Sequence, residues 1–160
     1  MKQKTPLPRP LANGRLTLLF MIVFTFVNII LYYMNSKISF PYSAFIPYFA
    51  IIFGDYLTVT TGSMIFTLVF YIVTLFFFAI YIYGWFASQT KFAWFITISV
   101  FYILDTGFMT YALIGTSVID LLINLALHGL ILYSFISAAL FYIRLKKRKK
   151  LSENIQEGIE

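Results

Sequence analysis

Cysteine is missing from the 160 residues, so disulfides, thiol catalysis and cysteine-held metals are excluded, and the redox state of the compartment leaves no mark on the chain. Charge is almost as scarce. Charged residues make up 11% of the chain, six of them acids, and histidine occurs once. Against this, 61% of the residues are hydrophobic, a balance that a soluble domain of this length has no core large enough to bury. Lipid is then the bulk solvent. The 19 Phe and 12 Tyr suit helices that show Phe to acyl chains and Tyr to headgroups. The net charge of +6 sits in terminal clusters, so it bears on membrane orientation and anionic lipid rather than on nucleic acid, which is not expected as a partner.

Residues 1–15 carry Lys2, Lys4, Arg9 and Arg15 with three prolines, the composition of an unstructured basic tail. Leu16 to Met34 then runs for 19 residues without a charge, ~28 Å of helix against a hydrocarbon core of ~30 Å. A cleaved signal peptide is the competing reading; the apolar run is longer than the usual ~7 to 15 residues, and no small-x-small site follows it. Residues 38–54 are uncharged but interrupted by Pro41 and Pro47. Pro41 can begin a helix, Pro47 would kink it and Gly54 can stop it, which predicts a short interfacial or re-entrant helix over 41–53, with a full span as the alternative. Three further spans follow at about 64–86, 92–113 and 118–143, with Tyr81, Tyr83 and Trp85 marking the headgroup level. Residues 144–160 form a tail, basic and then acidic, carrying Glu153, Glu157 and Glu160.

The fold class expected is therefore all-α and integral to the membrane: a bundle of four spanning helices with the short helix after the first. Four spans place eleven of the twelve Lys and Arg residues on one side and leave only Lys37 on the other, as cytoplasmic termini in the cytoplasmic membrane require. Five spans would carry one basic terminus across.

Acids within spans are costly, at ~2.5 to 3.5 kcal/mol near the bilayer centre, and so are informative. Asp105 and Asp120 qualify. Asp120, Asn124 and His128 are spaced i, i+4 and i+8, which holds them within a wedge of about 80° on one helix face. Counting back from the tight connector at residues 114–117 puts Asp105 at the depth of Leu125, between Asn124 and His128. A polar cluster of Asp105, Asp120, Asn124 and His128 is the expectation. Its members can satisfy one another and hold the last two spans together, or Asp105 and His128 can form a titrating pair that lines a proton or ion path. No metal site, cofactor or catalytic set is expected from one histidine and two acids. Asp105-Thr106-Gly107 spells the tripeptide of pepsin-like aspartic proteases, whose chemistry needs a β-fold loop that a span does not supply. Phe53-Gly54-Asp55 lacks the first glycine of the intramembrane aspartyl protease signature.

The smaller polar groups divide by helix face. Thr25 and Asn28 in the first span, and Thr67 and Thr74 in the second, mark inward sides, and Gly107 and Gly129 allow close helix approach. Arg144, Lys146, Lys147, Arg148, Lys149 and Lys150 form a stop-transfer and lipid-headgroup anchor.

Ser43-Ala44-Phe45-Ile46-Pro47-Tyr48, Leu104-Asp105-Thr106, and Ile119-Asp120 followed by His128 resemble a group of small multi-spanning membrane proteins of low-GC Gram-positive bacteria. The resemblance implies a membrane fold and carries no activity. The functional expectation is a non-enzymatic subunit or accessory partner of a membrane complex, touching lipid and either another membrane protein or further copies of itself. The alternative is a small proton-linked transporter or ion pathway; a membrane-embedded lipid enzyme would need a nucleophile and base that the chain does not pair.

Overall fold

A chain in lipid has to pair its backbone N–H and C=O groups within itself, and the α-helix does so locally. The computed structural model describes residues 7–89 and 91–157, and it is helical throughout, with no strand among the described residues. The helices are α1 (Arg9–Tyr33), α2 (Phe45–Thr61), α3 (Ile65–Ala87), α4 (Ala93–Ala112) and α5 (Val118–Glu157). All but α2 are long and apolar enough to cross a membrane, the arrangement of a multi-pass membrane protein. Lys2, Lys4, Thr90 and Glu160, and the side chains of Glu153 and Glu157, lie outside the described residues.

The starts of α3, α4 and α5 fall within a residue of those expected from hydropathy. Four other boundaries do not. Helix α1 begins at Arg9, inside the stretch read as an unstructured tail, with Pro10 in its first turn, where the missing N–H has no helical partner to lose. Tertiary packing explains the extension. Leu11 and Gly14 are buried, and Arg15 donates from Nε to Ser88 Oγ (3.2 Å) while its guanidinium lies 5.4 Å from the centre of the Trp85 ring. Helix α5 runs unbroken for 40 residues to Glu157, so the expected tail at 144–157 is helical. Lys, Arg, Leu, Glu and Gln are good helix formers, and propagating an existing helix avoids a new nucleus.

Helix α2 departs furthest. It starts at Phe45, not at Pro41, and Pro47 sits in its first turn, where its missing N–H costs no helical bond. Gly54 does not stop the helix, which continues to Thr61 and ends at Gly62 in the left-handed conformation (φ 73°). Gly54 instead lets α2 lie against α3: a Cβ there would meet the Cβ of Phe70 at 2.7 Å. Asp55 lies within α2 and accepts from Thr67 Oγ1 on α3 (3.1 Å). The close approaches expected at Gly107 and Gly129 do not occur among the described residues, since none of them stands within 4 Å of a Cβ at either.

Leu18 and Met21 of α1, Phe95 and Tyr102 of α4, and Ile131 and Phe135 of α5 form the fully buried core. Phe95 and Phe135 meet edge to face at 5.1 Å. Thr17 of α1 and Ser134 of α5 share a hydroxyl hydrogen bond of 2.9 Å. Tyr81 joins this core rather than an outer aromatic belt. The start of α1, the α3–α4 connection and the second half of α5 meet at one end of the bundle, the basic end, which gathers Lys91, Lys146, Lys149 and Lys150.

Candidate functional site

The first turn of a helix leaves four N–H groups without helical partners, and a helix that starts inside a protein must find acceptors for them. Helix α2 starts in this way and has no capping side chain of its own, its N-cap being Ala44. The acceptors come from two other helices. Ala44 N donates to Thr25 Oγ1 of α1 (2.8 Å). Phe45 N and Ile46 N donate to Asp105 Oδ2 and Oδ1 of α4 (2.8 and 2.7 Å). The fourth position is Pro47, which has no N–H to satisfy. Asp105 is fully buried, and it places negative charge density at the positive end of the α2 dipole.

The strand of chain that delivers α2 to this place is held in the same manner. Asn28 of α1 accepts from Phe40 N at Oδ1 (2.7 Å) and donates from Nδ2 to Phe40 O (2.8 Å) and to Ser43 Oγ (2.9 Å). Thr74 of α3 donates to Pro47 O (3.0 Å). Thr25, Asn28 and Thr74 are buried, on the inward faces expected of them. The segment from Phe40 to Pro47 thus turns back along α1 from Asn28 to Thr25, and α2 rises from the level of Asp105.

The expected four-residue cluster is not assembled. Tyr102, one turn before Asp105, stacks on His128 with ring centres 5.6 Å apart and planes 8° apart. The reason is rotation about the α4 axis: Tyr102 takes the face toward α5 and Asp105 takes the face toward α2. Asn124 donates to the backbone oxygen of Asp120 (2.8 Å), and Asp120 itself is exposed. His128 is buried, with Nδ1 donating to Asn124 O (3.0 Å). Among the described residues its Nε2 has no partner, and neither do the hydroxyls of Tyr81 and Tyr102, all three buried in the bundle. These two tyrosines had no signal in the sequence beyond their aromatic character. Among the described residues no three His, Asp or Glu side chains gather into a metal-binding group.

Two concave features lie on the surface. Between α1, α2 and α3 lies an apolar groove of about 570 Å³, lined by residues including Val23, Phe26, Ile51, Leu75, Phe78 and Ile82. At the basic end a cleft of about 990 Å³ takes in Lys146, Lys149 and Lys150, with Lys91. Arg144 faces a smaller depression beside Pro10, and Lys147 and Arg148 are exposed and line neither. The basic run is therefore divided over several faces of α5. No protein-family model, curated protein or solved structure matches the chain.

Proposed function

We propose that this chain is a non-enzymatic subunit or accessory partner of a membrane complex, held in the cytoplasmic membrane with both termini on the cytoplasmic side. The observation that carries this reading is the groove between α1, α2 and α3. Val23, Phe26 and Leu75 on its walls are exposed, and an unfilled apolar groove forfeits dispersion contacts that a well-shaped helix restores better than fluid acyl chains. A spanning helix of another membrane protein, or of a second copy of this chain, fits that description. The orientation is supported by the basic end, which matches the leaflet favoured by Lys and Arg.

Photo-cross-linking amino acids placed at Val23 and Phe78, in native membranes, test the partner. A stoichiometric protein adduct is expected at both, and it is expected to disappear when Leu75→Trp fills the groove. Adducts with lipid alone at both positions would overturn the reading.

A proton-linked pathway is the second reading, favoured by the unpartnered His128 Nε2 and the Tyr81 and Tyr102 hydroxyls, which lie in the same interior as Asp105. Purified protein in liposomes loaded with a pH-sensitive dye would then carry protons, and Tyr81→Phe and His128→Phe would stop the flux without loss of fold. Impermeable liposomes remove this alternative.

A further inference from the structure

Five residues of α5 line the basic cleft: Tyr142, Leu145, Lys146, Lys149 and Lys150. Their spacing of i, i+3, i+4, i+7 and i+8 is one helical face, and it exists only because α5 stays helical past the end of its apolar stretch. Lys91, with Ser88 and Gln89, comes from the α3–α4 connection on the opposite wall, and Leu11 from α1. None of the described residues that line the cleft is acidic.

The chemistry of the walls is divided. Phe92 and Leu11 are buried, and Phe92 packs against Tyr142 with ring centres 5.2 Å apart, so the inner wall is apolar and aromatic. The lysines stand outside it, on exposed positions of α5 and at the mouth of the α3–α4 turn. The only two tryptophans of the chain, Trp85 and Trp94, flank that turn, and Trp94 meets Tyr83 edge to face at 5.1 Å. Trp and Tyr gather where a membrane passes from acyl chains to headgroups, so the cleft lies at the depth of the lipid phosphates. An occupant has to be anionic on one side and apolar on the other at that depth.

We infer that the cleft between α5 and the α3–α4 turn is a binding site for an anionic phospholipid, its phosphodiester held between Lys91 and the Lys146, Lys150 pair and its first acyl segment laid against Phe92 and Tyr142. Basic pockets between spanning helices recognise acidic headgroups in this way. The site is independent of what occupies the α1–α2–α3 groove, which is at another place on the bundle.

The discriminating comparison uses equal losses of charge on one helix. K146Q/K150Q removes two positive charges from the cleft; K147Q/R148Q removes two from other faces of the same turns. The full chain in detergent is titrated with dioleoylphosphatidylglycerol, with dioleoylphosphatidylcholine and with inorganic phosphate, and adducts are counted by native mass spectrometry. Phosphatidylglycerol is expected to bind the wild type and K147Q/R148Q alike, and to bind K146Q/K150Q on the order of ten-fold more weakly. K91Q, on a different element, is expected to weaken it as well, and K146R/K150R to retain it. Equal weakening in the two double variants would show diffuse attraction to the basic run and overturn the site. Binding of phosphatidylcholine as tightly as phosphatidylglycerol would overturn it too, and so would full displacement of the lipid by inorganic phosphate.

Discussion

At Asp105 two acceptor atoms meet two backbone donors, so substitutions there separate the two bonds. Asp105→Leu leaves the Phe45 and Ile46 N–H groups unpaired in the interior, at ~1 to 3 kcal/mol for each. Asp105→Asn keeps one accepting oxygen and turns an NH2 toward the other N–H, and is expected to cost about half as much. Unfolding of the purified protein should rank wild type above Asn above Leu; an Asn variant as stable as the wild type would mean that the second bond contributes nothing. That an acid so deep in an apolar stretch needs a partner was legible in the sequence. The partner was not, because it is a pair of main-chain amides about 60 residues away, and main-chain donors leave no trace in residue identity. Arg15 hid its role for a similar reason: it reads as the end of a basic tail, while its acceptors, Ser88 Oγ and the Trp85 oxygen, lie at the far end of α3.

Among the elements, α2 shows how turn chemistry yields to tertiary context. Local proline and glycine chemistry predicts a start at Pro41, a kink at Pro47 and a stop at Gly54, yet Asp105 and Thr25 fix the start four residues later and make Pro47 a first-turn residue. Gly54 then serves packing. Gly54→Leu is expected to destabilise the α2–α3 hairpin by at least ~1 to 3 kcal/mol, the usual effect of overpacking a close contact. Gly107→Ala, with nothing within 4 Å of the new Cβ, is expected to leave stability unchanged or raise it by up to ~1 kcal/mol. Thermal unfolding of the two variants side by side checks this, and equal behaviour would contradict the α2–α3 contact. In α5 the same dependence on context appears at the other end. Composition marks 144–150 as basic, but only the continued helix sorts Lys146 and Lys150 onto one face and Lys147 and Arg148 onto others.

For the whole molecule, the placement of α2 has a consequence for topology. Its start is bonded to the middle of α1 and α4, and Gly62 turns it directly into α3; a re-entrant α2 then predicts that residues 34 and 61 face the same side. Single cysteines at Lys37 and Thr61 should both react with an impermeant reagent from outside the cell, and one at Ile46 should be protected. Reporters at Ser88 and after residue 152 should score cytoplasmic. Labelling of Lys37 and Thr61 from opposite faces would make α2 a fifth span.

The number of long apolar helices and the segregation of basic residues were determined by composition and run length alone, because transfer into lipid depends on how many apolar residues follow one another and not on what they touch. Leu16 to Met34 and Met64 to Phe86 announce themselves in this way. Inward faces at Thr25, Asn28 and Thr74 were likewise readable, since a polar group in an apolar helix has to find a partner inside the protein. Only the tertiary structure decided which partner. Helix rotation turns Asp105 toward α2 and Tyr102 toward His128, although the two are a single turn apart, and a rotation of that size depends on how four helices pack at once. It also decided where helices run, since the starts at Arg9 and Phe45 and the continuation of α5 past Ile143 are set by contacts, caps and propagation from neighbouring turns rather than by the residues at those positions.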